Sequence, residues 1–457
     1  MLKKRVGLLA GLLSVSMILA VSTGCGSSKE NAAATEGKSE VKIAWRFSGE
    51  NDITSKYLEQ DFIPEFEKAN PNIKITLSPI TASEGDYYSK IALSMQSADT
   101  TPDIIAEDTF MLNADANAGY LTELSDYVED WAEWSNYTEN LKVGSTAQDG
   151  KLYAIPGSSD SRGLWYNKNL FQKAGLPTEW APRTWQEILD AAEKIKETSP
   201  NAIPLALTVA KANGEAVSMQ TFEMLLYGTN DTLYDSATEK WNVNSQGILD
   251  SLGFIDQVYN KKKLGPPLSI AINSNFGSVM FQDKFVKDEA GIILDGFWNS
   301  SNWKANGPVP VENMTRRFGF AAMPTQNGQE PGTVTMSGGW TWAIPAKSKN
   351  KEAAWTVIKA LGGEEQQAKR AIADGNLTVR QDSAENVDYK SQPFIKEATL
   401  FLVNAYFRPA NDKYPNVSVE IQNMVEAVAT GSKTPADAVK DYAKNVTRIV
   451  GEENVAK

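Results

Sequence analysis

Trp298 stands in the run Leu294-Asp295-Gly296-Phe297-Trp298-Asn299-Ser300, a polar and glycine-bearing setting. Trp340 and Trp342 stand in Ser337-Gly338-Gly339-Trp340-Thr341-Trp342, and Trp45 is followed directly by Arg46. With 12 Trp, 15 Tyr and 16 Phe in the chain, most aromatic rings belong to cores, but these few sit among side chains that want hydrogen bonds. An indole offers a flat apolar face, while carboxylates, amides and guanidinium groups meet hydroxyls. A sugar ring presents both kinds of surface. The chemistry predicted from these residues is the holding of a carbohydrate, with Trp298 as the foremost stacking candidate.

Other chemistries are ruled out by what the chain lacks. It has no histidine and one cysteine, Cys25. Ser-His-Asp and Cys-His nucleophiles are therefore excluded, and no ordinary zinc or copper site is expected. No Walker loop, dinucleotide fingerprint or EF-hand run occurs, so no cofactor or metal is expected. Most enzyme classes fall with them. A glycosidase, which needs two carboxylates, stays open among 57 acidic residues, although no pair stands out. The formal net charge of −12 fits poorly with gripping a phosphate backbone, so no nucleic-acid partner is expected.

The elements that must position these residues begin after a targeting segment. Lys3, Lys4 and Arg5 precede the apolar run Val6–Val21, and Ser22-Thr23-Gly24 leads into Cys25. This is the order of a secretory signal peptide over residues 1–24, too short for a comfortable bilayer span. The lone thiol resembles the lipidated cysteine of a lipobox, with Ser22 where leucine is usual. Residues 25–40 contain no large apolar side chain and read as a flexible tether. The predicted location is the extracytoplasmic face of the cell membrane, at the cell surface or in a periplasm. Without a second cysteine no disulfide is available, so stability must come from cores, and the length suffices for two domains.

Val41–Phe47 has strand composition, Asn51–Ala69 has helical apolar spacing broken at Pro64, and Ile73–Leu77 alternates. Asp86–Ser97 reads as a helix and Pro102–Ala106 as a short strand. The β-α-β-α-β order predicts a parallel sheet with a ligand at the carboxyl ends of its strands, near Arg46–Asn51 and Glu107–Phe110. Thr184-Trp185-Gln186-Glu187 is a capping box opening a helix with the stripe Ile188, Ala191, Ala192, Ile195. A second α/β region extends to about Gly296, with another helix at Lys351–Leu361.

Asp149-Gly150-Lys151-Leu152-Tyr153-Ala154-Ile155-Pro156, then Gly163-Leu164-Trp165-Tyr166-Asn167-Lys168, Ala174-Gly175-Leu176-Pro177 and Thr184-Trp185 follow in order. Gly338-Gly339-Trp340, Ile344-Pro345, Asn350–Trp355, Gly375–Arg380 and Gly431-Ser432-Lys433 complete the series. Over residues 41 to about 450 this order resembles family 1 extracellular solute-binding proteins, which include maltose-type members. The resemblance implies an α/β, two-lobe periplasmic-binding-protein-like fold of class II type, with the ligand cleft between the lobes. Lobe one would be 41–155 plus 338–388, and lobe two 156–337 plus 389–457, with crossings near 150–160, 335–342 and 386–393. It further implies carbohydrate contacts from Arg46, Asp108, Asp160, Trp298, Trp340 and Arg408, with Glu50-Asn51, Phe110 and Tyr414 nearby. Arg46 and Arg408 can equally serve in surface or interlobe salt bridges, and Asp108 can equally cap the next helix. The expected partners are a carbohydrate, the permease subunits of an ABC importer and the membrane reached through Cys25, with the protein itself a monomer. A surface-tethered glycosidase, or the same fold holding a non-sugar solute, are the alternatives.

One consequence concerns Cys25. Cys25→Ala is expected to move the protein from the membrane fraction to the soluble fraction on cell fractionation; a variant held as firmly as the parent removes the anchor.

Overall fold

The computed structural model describes residues 38–456 apart from 48, 50, 51 and 83. The signal segment, Cys25, most of the tether, Glu50 and Asn51 lie outside the described residues. The tether does not reach residue 40. Ser39 and Glu40 already belong to the first strand, Ser39–Ala44, paired with Ile73 and Lys74.

Five strands make the first sheet, in the order Ile73–Leu77, Ser39–Ala44, Ile104–Asp108, Trp340–Ala343, Ala154–Pro156. The first three run parallel, as the β-α-β-α-β alternation predicts. Trp340–Ala343 returns from far along the chain and runs antiparallel to both neighbours, with Trp340 opposite Asp108 and Thr341 opposite Pro156. A second sheet of four strands is ordered Phe318–Ala321, Arg162–Asn167, Ala290–Gly296, Ile203–Ala206. Every residue of its two central strands is buried, the signature of strands covered on both faces.

Each sheet has its own core. Val41, Ile43, Ile104, Trp342, Val357 and Ile358 cluster around the first. Around the second, Leu164, Ile188, Ile195, Leu205, Ile292 and Leu294 pack with the late helices Tyr414–Ala429 and Pro435–Val450. The helix Trp185–Thr198 buries the stripe expected of it. Thr184 Oγ1 accepts the Glu187 amide, while the Glu187 carboxylate reaches back to the Arg183 N–H, one residue before the expected partner.

Three local expectations are corrected. The helix after residue 51 is not broken at Pro64: α turns over Ile53–Lys56 and Ile63–Ala69 are joined by wide turns over Tyr57–Phe62. Pro64 falls at the start of the last stretch, where a missing N–H is tolerated. The short strand is Ile104–Asp108, so Asp108 ends a strand; it does not cap the next helix, whose N-cap is Met111. Trp340 and Trp342 lie in a strand and not in a loop, with Trp342 1% exposed in the first core. Arg46 also sits in a strand, the two-residue Arg46–Phe47 paired with Ile80–Thr81.

Among the described residues no helix is long and apolar enough to cross a membrane. Ile43 lies at the centre of the parallel sheet and is 0% exposed, between Leu77 and Ile104. Ile43→Ala is expected to lower unfolding free energy by about 2–5 kcal/mol, read by chemical denaturation; a loss under about 1 kcal/mol contradicts this packing.

Candidate functional site

The chain passes between the sheets on adjacent segments. Residues 157–161 lead from Ala154–Pro156 to Arg162–Asn167, and residues 337–339 lead back to Trp340–Ala343 from Thr333–Met336, a strand of a small third sheet with Met323–Pro324 and Ala405–Tyr406. The two segments are bonded together: Gly157 and Ser158 N–H donate to Trp340 O at 2.9 and 3.0 Å, and the Ser337 hydroxyl donates to Asp160 O at 2.8 Å. Gly339, at φ +133°, allows the approach, since a Cβ there would lie 2.0 Å from Ser158 O. Farther along, Val379 packs in the first core, while Leu377 and Tyr389 on either side of it pack in another core with Trp165 and Phe318.

Beside these crossings is a cavity of about 460 Å³, lined from both sheets, inside the ~300–1,000 Å³ range of small-molecule sites. Arg46, Asp108, Asp160, Trp298, Trp340 and Arg408 all line it, although they come from six separate places in the chain. Phe110 and Tyr414 lie behind it in the second core, their rings 6.0 Å apart.

Asp160 is no solvated loop acid. Its Oδ1 is 2.5 Å from Arg162 Nη1 and accepts the Gly338 N–H at 3.1 Å, and the carboxyl and guanidinium side chains are 12% and 6% exposed. Arg162 also donates to Met336 O and lies 4.9 Å over the Trp298 ring. One face of that indole therefore carries a cation, and the ring stays half-buried at the cavity edge. Gly296 makes room for it, because a Cβ there would fall 1.9 Å from the indole. Asp295 and Asn299 do not face the cavity lining. Asp295 Oδ1 takes the Gly296 N–H and the Asn299 amide, fixing the turn that carries Trp298. Burial pushes Asp295 up to about 6, against those hydrogen bonds and the pull of Arg162.

Across the cavity, Arg408 Nη2 donates to Asp108 Oδ1 at 2.6 Å and to Thr109 Oγ1 at 2.8 Å. Its guanidinium lies 4.7 Å over Phe110 and 3.7 Å from Glu215. The salt-bridge alternative for Arg408 thus describes its position in this structure, and the pair joins the end of a first-sheet strand to the segment just after Ala405–Tyr406. Trp340 packs edge-on against Tyr87 and face-on against Tyr88, whose hydroxyl reaches Asp108 Oδ2 at 3.2 Å. Arg370, bonded to Asp374 at 3.2 Å, lies 4.6 Å over Trp342 at the cavity floor.

Sequence reasoning missed Arg162, Glu215, Arg370 and Asp374. Arg162 left a signal: an arginine opening a fully buried strand needs a partner, and Asp160 is two residues away. The other three lie on helices with no motif and reach the cavity only through folding. Among the described residues no group of three or more acidic, His or Cys side chains is placed to hold a metal ion.

Known proteins share this architecture. An ABC transporter solute-binding protein from Thermotoga lettingae, bound with alpha-D-tagatose, superposes with a TM-score of 0.78 at 24% identity, covering 91% of this chain and all of that one. The maltose-bound MalE3 of T. maritima gives 0.75 at 23%, over 90% of this chain and all of that one. The maltooligosaccharide ABC transporter solute-binding lipoprotein of Streptococcus pneumoniae is 22% identical over 454 residues, 97% of this chain and 96% of its own. Residues 51–368, which carry the second sheet, four of the five strands of the first and most of the cavity lining, match bacterial extracellular solute-binding proteins, and the chain belongs to that family.

Proposed function

We propose that this chain is the lipid-anchored, extracytoplasmic receptor of an ABC importer, monomeric, and that it binds a neutral carbohydrate, an oligosaccharide by preference, between its lobes. The observation that carries this reading is the pairing of charge in the cavity. Asp160–Arg162, Asp108–Arg408 and Asp374–Arg370 each neutralise themselves within the lining. A free carboxylate or ammonium ligand would have to break one of these pairs, whereas hydroxyls can use the lone pairs and N–H groups left over. Trp298 and Trp340, both half-buried, flank the same space and suit the C–H faces of a sugar ring. The sugar-bound relatives support the same ligand class.

Contacts drawn from both sheets favour a state in which the lobes enclose the ligand. The moving bodies are lobe one, 41–155 plus 338–388, and lobe two, 156–337 plus 389–457. The closed form is what a permease would recognise. Nothing in the cavity is required to react, so the ligand is released intact.

The test is calorimetric titration with maltose, mannobiose and longer oligosaccharides, followed by product analysis. Trp298→Ala is expected to weaken the best-bound saccharide by about 1–3 kcal/mol with its melting temperature little changed. Asp160→Ala is expected to lose as much affinity and also some stability, since Arg162 is left buried without its partner. A Trp298→Ala protein that binds like the parent, a panel with no binder, or steady hydrolysis of the sugars each contradicts the proposal.

A further inference from the structure

At the cavity wall, Glu215, which lines it, and Glu223, which lies deeper, share one phenol. Tyr414 Oη lies 2.5 Å from Glu215 Oε1 and 2.7 Å from Glu223 Oε1. Glu215 is 6% exposed, and Glu223 and Tyr414 are 0% exposed. A phenol has one proton to donate, so it satisfies one carboxylate only. At such distances the second carboxyl oxygen must bring a proton of its own, or two oxygens with no hydrogen between them are held in contact.

The surroundings decide which carboxyl carries it. Glu215 Oε2 accepts the Ser418 hydroxyl at 2.5 Å, and Arg408 Nη1 stands 3.7 Å from Glu215 Oε1. Glu223 Oε2 is buried with no hydrogen-bond partner. An anion with a bare oxygen in the core is the costlier arrangement. The consistent order is therefore Glu223 O–H donating to Tyr414, Tyr414 O–H donating to Glu215, and anionic Glu215 facing Arg408.

We infer that Glu223 is a positioning residue, kept as a neutral carboxylic acid, which through Tyr414 and Glu215 seats Arg408 on Asp108 across the cleft. The groups facing the pair are the cations Arg408 and Arg162, the phenols Tyr227, Tyr414 and Tyr442, and Asp108 beyond Arg408. Burial pushes both carboxyls up, with the cations pulling the other way. When the shared proton leaves, two anions meet one phenol, and the second anion competes with Asp108 for Arg408. Alkaline pH therefore loosens the contact between the lobes.

The folded chain keeps a proton that the unfolded chain gives up near the ordinary glutamate value of 4.5. Stability held by this proton is present below that value, declines as pH rises towards about 7, and is level above it. Within that window one proton changes the folding equilibrium by up to about tenfold per pH unit.

Glu223→Gln supplies a fixed donor that cannot be lost. The experiments use ligand-free protein, so they can fail while the carbohydrate reading stands, and the reverse. The infrared difference spectrum of wild type minus Glu223→Gln at pH 6 is expected to show the carbonyl band of a protonated carboxylic acid, and that band is expected to vanish by pH 9. Glu223→Gln is also expected to lessen the decline of stability between about pH 4.5 and 7 by the slope of one proton, and to keep the radius of gyration constant to pH 9, where the wild type expands. Absence of the band from wild type, or a Glu223→Gln protein with the parent's pH profile, overturns the inference. Where Glu223→Gln does not fold, the wild-type spectrum at pH 6 minus that at pH 9, recorded on protein with carboxyl-labelled glutamate, is expected to carry the same band, and its absence overturns the inference.

Discussion

The buried ion pair between Asp160 and Arg162 sets the geometry of everything around the cleft. Its carboxylate accepts the Gly338 N–H, and its guanidinium donates to Met336 O, so the outgoing and returning chain segments are held side by side. The same guanidinium lies over Trp298 and fixes where that indole edges the cavity. Burying two charges is costly unless their remaining lone pairs and protons are satisfied, and here the returning segment does part of that work through Gly338 N–H and Met336 O, while Arg162 Nε stays buried without a partner. Loss of either partner would strand the other, and with it both the junction and the stacking surface.

Around that junction the two sheets are built independently. Each has its own parallel strands and its own core, yet packing also joins them: Phe110 lies in the core around the second sheet, and Ala371 and Leu377 share one core with Trp165 and Phe297. The Asp108–Arg408 pair adds a polar contact between the end of a first-sheet strand and the segment after Ala405–Tyr406, backed by Phe110 and by the glutamate–tyrosine network. A polar contact of this kind is easier to open than an apolar one of equal area, since its groups are rehydrated when they part.

Much of this was legible in the sequence, and for local reasons. Periodicity gave the stripe of the Trp185–Thr198 helix, the Lys351–Leu361 helix and the parallel alternation of the first lobe, because those patterns depend on neighbours within a few residues. Strand ends were read less well. Asp108 is read as lying past the end of its strand and Trp340 as part of a glycine-bearing run, yet they pair with each other across 232 positions to close a sheet. A strand's last residues are decided by such a partner, which no window of sequence contains.

The sequence by itself determined the export signal pattern, the exclusion of histidine and thiol chemistry, the α/β class and the tryptophans fit to meet a ring. Only the tertiary structure decided what those residues face. It turned Asp295 and Asn299 inward to hold a turn, paired Asp160 with Arg162, and set Arg408 against Asp108 at a separation of 300 residues. It also brought Arg370, Asp374 and Glu215 to the cavity from helices that show no motif. Residue types are chemical properties carried by the chain itself, whereas hydrogen bonds and ion pairs depend on distances of a few ångströms that come into being only when remote segments pack.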